Sequence, residues 1–149
     1  MPPITCHILD TTRGRPAAEV YVAIYKIADL PKDGEELVIE DIEPFGVAKT
    51  NADGRVSHWT FHPKKDLCQL GIEREDWNEL KSAVYKIRFQ TSQYFKRLAQ
   101  EDKQKGVTSD DRTFFPFVEI IFTVSDPPDA HYHIPLLLAN HSYTTYRGS

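Results

Sequence analysis

The 149-residue chain is 40% hydrophobic and 27% charged with a formal net charge of −4, the composition of one ordinary globular domain and not of a disordered or collagen-like polymer. The acidic balance without any basic block excludes a nucleic-acid binder, and no apolar run is long enough to span a bilayer, so no membrane partner is expected. Two cysteines form neither a disulfide framework nor a CxxC metal motif; with no leader, Ser-Lys-Leu ending or lipidation signal, the expected location is the cytoplasm.

Residues 4–9 alternate with a period of two, which makes a strand whose core side is Ile4, Cys6 and Ile8 and leaves Thr5, His7 and Leu9 on the other face. Cys6 then reads as a buried, reduced thiol. A polar turn with Gly14 and Pro16 follows. Residues 19–27 alternate again, with Val20, Val22 and Ile24 on one face. The acidic segment 28–47, punctuated by Pro and Gly, reads as a surface excursion holding a short strand at Leu37-Val38-Ile39. Asn51-Ala52-Asp53-Gly54-Arg55 is a hairpin signal, because Asp-Gly accepts positive φ at little cost. It feeds a strand over 56–61 with Arg55 at its entrance.

Segment 62–83 is the least determined, with Ile72, Trp77 and Leu80 offering a short helix a weak apolar stripe. Residues 84–89 return to alternation with Tyr85, Ile87 and Phe89 inward. Thr91 or Ser92 can cap a helix that places Tyr94, Phe95, Leu98 and Ala99 on one stripe and stops at Gly106. Phe115-Pro116 opens a strand in which Val118, Ile120, Phe122 and Val124 share a face.

The last strand reads Tyr132, Ile134, Leu136 and Leu138 inward, with His131, His133, Pro135 and Leu137 outward. A turn at Asn140-His141 precedes a second alternation, Tyr143, Thr145 and Arg147 against Ser142, Thr144 and Tyr146. So many Tyr, Thr and Arg residues suit a segment packed against something. The count is seven or eight short strands and one short helix, an all-β Greek-key β-sandwich in a single domain, 1–149.

Chemistry concentrates on few residues. A lone HxH pair such as His131 and His133 is as often an unused exposed pair as a site. It can bind zinc from one face, but no HExxH or cysteine cluster supplies a third ligand. His7 could serve if the first and last strands are neighbours, which keeps a metal reading open as a minority. Arg55 alone is usually a solvated charge. In company with imidazoles and the phenol of Tyr146 it suits a planar, anionic, hydrogen-bond-rich ligand. Mutual repulsion in that cluster would hold the imidazoles partly neutral, as a general base requires. No G-x-S-x-G elbow surrounds a serine, and a Cys-His nucleophile is disfavoured by the inward face of Cys6.

The stretches Cys6-His7-Ile8-Leu9-Asp10-Thr11-Thr12-Arg13-Gly14-Arg15-Pro16-Ala17, His131-Tyr132-His133-Ile134-Pro135-Leu136-Leu137-Leu138 and Tyr146-Arg147-Gly148-Ser149 together resemble the 5-hydroxyisourate hydrolases of the transthyretin-related family. Asn51-Ala52-Asp53-Gly54-Arg55 and Phe114-Phe115-Pro116 extend the resemblance through the middle of the chain. It implies a transthyretin-like (prealbumin-like) sandwich that self-associates as a homotetramer, a dimer of dimers with sites in the channel between them. It implies hydrolysis of 5-hydroxyisourate to 2-oxo-4-hydroxy-4-carboxy-5-ureidoimidazoline in urate catabolism, without cofactor or metal.

By the same resemblance His7, Arg55, His133 and Ser149 are the catalytic positions, and His7, Arg55, Tyr146 and Arg147 bind the substrate. Segments 28–47 and 62–83 are expanded relative to the family's compact form. The peroxisome, where related enzymes sometimes work, stands as a second compartment. The rival reading is a transthyretin-like carrier of small aromatic ligands, against which the retained histidines and Tyr-Arg-Gly-Ser ending count.

Overall fold

The computed structural model describes residues 2–39, 43–63 and 66–149. In chain order the strands are β1 (Ile4–Asp10), β2 (Arg15–Pro16), β3 (Tyr21–Ala28), β4 (Gly46–Lys49), β5 (Arg55–Val56), β6 (Thr60–Phe61), β7 (Ile72–Glu73), β8 (Asp76–Trp77), β9 (Ala83–Phe89), β10 (Val118–Val124), β11 (Tyr132–Leu138) and β12 (Tyr143–Thr145), with helix α1 (Thr91–Gln104) between β9 and β10. One sheet runs β12-β11-β1-β2, with β5 also on β1; the second runs β10-β9-β3-β4-β6, and β7 and β8 form a separate ribbon.

The two sheets enclose one core because each long strand is apolar on alternate residues. Ile4, Cys6, Ile8, Ile24, Tyr85, Ile87, Phe89 and Leu136 are completely covered, as the alternation predicts. Each such aliphatic or aromatic side chain contributes roughly 1.5–3 kcal/mol by burial. The outward residues of β1 and β11 are therefore released from structural duty.

β1 and β11 lie side by side in parallel register, with Thr5 opposite His133 and His7 opposite Pro135. On its other side β1 receives β5 antiparallel, which sets His7 opposite Arg55. The turn that delivers Arg55 is held by Asn51, whose Oδ1 accepts the N–H groups of Asp53 and Arg55. Gly54 adopts φ +71°, and a Cβ there would stand 2.5 Å from the carbonyl oxygen of Ile8, so only glycine lets this turn lie against β1.

Asp10 closes β1 from below the surface. Its carboxylate is fully buried and accepts the Tyr94 hydroxyl at 2.7 Å and the Arg13 N–H at 3.0 Å. Arg13 in turn donates to Asp102 of α1 at 2.7 Å, so the helix is tied to the Asp10 end of β1, the end far from Thr5.

Some expectations change. Leu37, Val38 and Ile39 are 40%, 75% and 56% exposed and form no strand, because no neighbouring edge is offered to them among the described residues. Residues 56–61 are not one strand: β5 joins the first sheet and β6 the second, with Trp59 buried at the crossing and its Nε1 donating to the Ile4 carbonyl. The Asp53-Gly54 turn thus links sheets instead of closing a hairpin.

Ile72 and Trp77 are buried from the β7–β8 ribbon, not from a helix. Gln90, not Thr91 or Ser92, holds the α1 N-cap position, without a side-chain cap, since Thr91 is itself buried. β10 starts at Val118, past Pro116, which has no N–H to give a ladder. The second terminal alternation is a strand only over Tyr143–Thr145.

Candidate active site

The outer face of β1 and β11 carries the cluster. His7 Nδ1 lies 2.7 Å from His133 Nε2, with ring planes 17° apart and centroids 4.9 Å apart. His133 Nδ1 lies 2.7 Å from Thr5 Oγ1, which is also 2.9 Å from His131 Nε2. Thr5, His7 and His133 are strand positions of one parity, His131 shares it just ahead of β11, and the parallel register brings them together across 126 and 128 residues of sequence.

Thr5 is the member that sequence reasoning passed over. The signal was its parity with His7; what was missing was a neighbour for it, which only the β1–β11 register supplies. His7 and His133 are half-buried and Arg55 is exposed. Burial, and then the Arg55 charge, hold the His7 imidazole below its ordinary pKa. His133 is lowered to about 4 by burial first, then by His7, Arg55 and His131. Both rings are thus neutral near pH 7, the state that can accept a proton.

The two facing nitrogens of His7 and His133 are committed to one another, which turns their lone pair and N–H along a shared axis instead of toward a common third point. Among the described residues no three His, Cys, Asp or Glu side chains converge as a metal cage. Neither cysteine is disulfide-bonded; Cys6 is buried, which pushes its thiol pKa up, and Cys68 is exposed.

The last residues run back over the imidazoles. The Gly148 N–H donates to the His133 carbonyl at 2.8 Å. A Cβ on Gly148 would stand 2.8 Å from His133 Cδ2 and 3.1 Å from Pro135 Cγ, so the missing side chain is what lets this segment lie flat on β11. Arg147 pairs with Asp129 at 2.9 Å and stands over the Tyr132 ring, 4.3 Å from its centroid. Tyr146 is 56% exposed. Within one chain, then, the structure groups Thr5, His7, His131 and His133 with Arg55 alongside and Gly148 on top, while Arg147 turns to Asp129 and Tyr146 to the open side.

The face is open. A cleft of about 450 Å³ lies elsewhere, floored by Ile27, Leu30, Phe45 and Leu70, and includes none of the imidazoles.

A β-sandwich that presents two neutral, hydrogen-bonded imidazoles beside a guanidinium belongs to the class equipped for acid–base chemistry on an anionic, hydrogen-bonding ligand. The chain belongs to the HIUase/Transthyretin family, whose model matches residues 4–148. It is 37% identical over 148 residues to a protein of Schizosaccharomyces pombe named a probable 5-hydroxyisourate hydrolase, with 99% of this chain and 92% of that one covered. The 5-hydroxyisourate hydrolase of Deinococcus radiodurans is 35% identical, covering 99% and 97%. Among solved structures, that of Klebsiella pneumoniae 5-hydroxyisourate hydrolase matches with a TM-score of 0.59 and 26% identity over 98% of both chains. The transthyretin-like fold expected from the sequence is therefore the fold of this chain.

Proposed function

We propose that the protein is a 5-hydroxyisourate hydrolase acting in urate degradation, a single hydrolase domain over 1–149 that opens a cyclic amide by attack of water to yield 2-oxo-4-hydroxy-4-carboxy-5-ureidoimidazoline. The observation that carries the reading is the 2.7 Å contact of His7 with His133 on the strand that pairs with Arg55. The hydrolase names of relatives matched end to end support it.

In this reading His7 and His133 act together as the base. A water gives its proton to His7 while its oxygen bonds to the ring carbonyl carbon, and the carbonyl electrons move onto oxygen beside the Arg55 guanidinium. The tetrahedral species then collapses, the C–N bond breaks, and the imidazolium returns its proton to the departing nitrogen. Tyr146 and Arg147 bind substrate and, with the catalytic position Ser149, shape and close the site; the bridge of Gly148 to His133 supports this. No cofactor is required by these steps.

The open face argues for walls supplied by other copies of the chain, and a homotetramer built as a dimer of dimers would supply them. Among the described residues β10 and β12 each pair on one side only, and Ile121 on β10 and Tyr143 on β12 are 52% and 38% exposed. Such edges invite pairing with a second copy. Light scattering coupled to gel filtration should return four chains per particle; a monomer would overturn this part. No helix of the described residues is long and apolar enough to cross a membrane, and the cytoplasm is the inferred location, with the peroxisome as the second candidate.

The test of function is direct. 5-Hydroxyisourate is generated in the cuvette from urate by urate oxidase, and its ultraviolet absorbance is followed with and without the protein. Catalysed disappearance is expected; decay at the spontaneous rate would overturn the proposal.

A further inference from the structure

A hydroxyl group carries one hydrogen and a neutral imidazole one N–H. Thr5 Oγ1 stands between His133 Nδ1 at 2.7 Å and His131 Nε2 at 2.9 Å; accepting from both rings would leave its own hydrogen without an acceptor among the described residues, a costly state for a hydroxyl only 7% exposed, so it donates to one ring and accepts from the other. His133 also has both nitrogens engaged, Nδ1 with Thr5 and Nε2 with His7 Nδ1 at 2.7 Å. With neutral rings the chain His7–His133–Thr5–His131 therefore has only two senses. Either every hydrogen points toward His131, which leaves His7 Nε2 bare, or every hydrogen points toward His7, whose Nε2 then keeps its own hydrogen. Only the first sense leaves His7 a lone pair with which to take a proton from water.

We propose that Thr5 is a positioning residue and His131 the terminal acceptor of this hydrogen-bond chain, and that together they hold His7 in the tautomer whose Nε2 is unprotonated. The catalytic half of this inference rests on the hydrolase reading; the tautomeric half does not. One observation sets the first sense, a second keeps the chain from reversing, and a third shows why a hydroxyl does the orienting. Arg55 is the cross-strand neighbour of His7, and a cation at that end draws lone pairs toward itself and pushes hydrogens away, toward His131. Thr5 is only 7% exposed, so its hydroxyl has little water with which to exchange partners, and its β-branched side chain holds χ1 firmly. The groups acting on His133 are His7, Arg55 and His131, none of them a carboxylate, so the orienting role that a carboxylate performs in Ser-His-Asp sites falls here to a hydroxyl relayed to a third imidazole.

The experiment compares the full-length protein with Thr5→Val, which keeps the shape and removes the hydroxyl, and Thr5→Ser, which restores it. Nitrogen-15 spectra of the imidazoles at neutral pH should show His7 with a bare Nε2 in the wild type, a mixture of tautomers in Thr5→Val and in His131→Phe, and the wild-type pattern in Thr5→Ser. With 5-hydroxyisourate, kcat should fall about 10–100-fold in Thr5→Val with KM little changed, the range for groups that orient a working imidazole, and recover in Thr5→Ser.

A wild-type His7 carrying its hydrogen on Nε2 would overturn the proposal, as would a folded Thr5→Val with unchanged kcat and tautomer. Should Thr5→Val fail to fold, the wild-type and Thr5→Ser spectra still decide. A wild type inactive on 5-hydroxyisourate but showing the bare Nε2 would sink the hydrolase reading alone.

Discussion

His7 and His133 share one hydrogen across 2.7 Å, although 126 residues separate them in the chain. Groups coupled in this way act as a unit, and removing either disables both. His7→Ala and His133→Ala should each lower kcat by about 10²–10⁴-fold, and the double variant should be scarcely worse than the weaker single one. Neither ring anchors its strand, since Ile4, Cys6, Ile8 and Leu136 do, so unchanged circular dichroism is expected. Multiplicative losses in the double variant would separate the two roles.

Both imidazoles sit below the ordinary value of 6.5, His133 at about 4. Catalysis by a neutral pair should therefore persist as pH falls through 6.5 and decline only below it. The sign for stability follows from proton counts: between about 4 and 6.5 the unfolded chain binds more protons at His133 than the folded one, so stability rises with pH across that window. Arg55→Gln removes one cause of both shifts, and the His7 and His133 ring protons should then titrate at higher pH than in the wild type. An unmoved titration would show that burial and the neighbouring imidazoles set them without Arg55. The same variant should lose about 10²–10³-fold in kcat if the guanidinium stabilises the oxyanion.

How far the site could be read from sequence depends on which contacts are local. The faces of β1, β9 and β11 were legible because burial on one side forces period-two alternation, and that alone put His7 and His133 off the core. The motif resemblance then singled out Arg55 and the Tyr146–Ser149 ending.

Nothing local announces the parallel β1–β11 register, so Thr5 had no visible partner. The β7–β8 ribbon was illegible for a different reason. Its turn places Arg74 and Glu75 at φ +50° and +67°, the primed-turn geometry that Asn-Gly usually signals, and with neither residue present the apolar spacing of Ile72, Trp77 and Leu80 resembled a helix. The sheet switch inside 56–61 likewise depends on Trp59 finding the Ile4 carbonyl, a long-range event.

Asp10 is a buried carboxylate held by the Tyr94 hydroxyl at 2.7 Å and the Arg13 N–H. Hydrogen bonds to a charged group are worth roughly 1.5–3 kcal/mol, so Tyr94→Phe should destabilise the protein by about that amount, and Asp10→Ala by at least as much because it strands the phenol. Denaturant titration measures it. KM should stay within about twofold, because the contact lies at the far end of β1 from Thr5. A neutral Tyr94→Phe would mean that water takes over the freed carboxylate oxygen.

Gly148 lies against His133 with no room for a side chain, a Cβ falling 2.8 Å from His133 Cδ2 and 3.1 Å from Pro135 Cγ. These neighbours belong to a packed strand, so in Gly148→Ala the exposed ending must lift instead. The loss of the Gly148 N–H to the His133 carbonyl costs about 0.5–1.5 kcal/mol at most, which leaves the fold intact. Lifting the ending displaces Tyr146 and Ser149 together, so the expected result is a rise in KM and a fall in kcat with nearly unchanged thermal stability. Gly148→Ala with wild-type kinetics would show that the ending closes no part of the site.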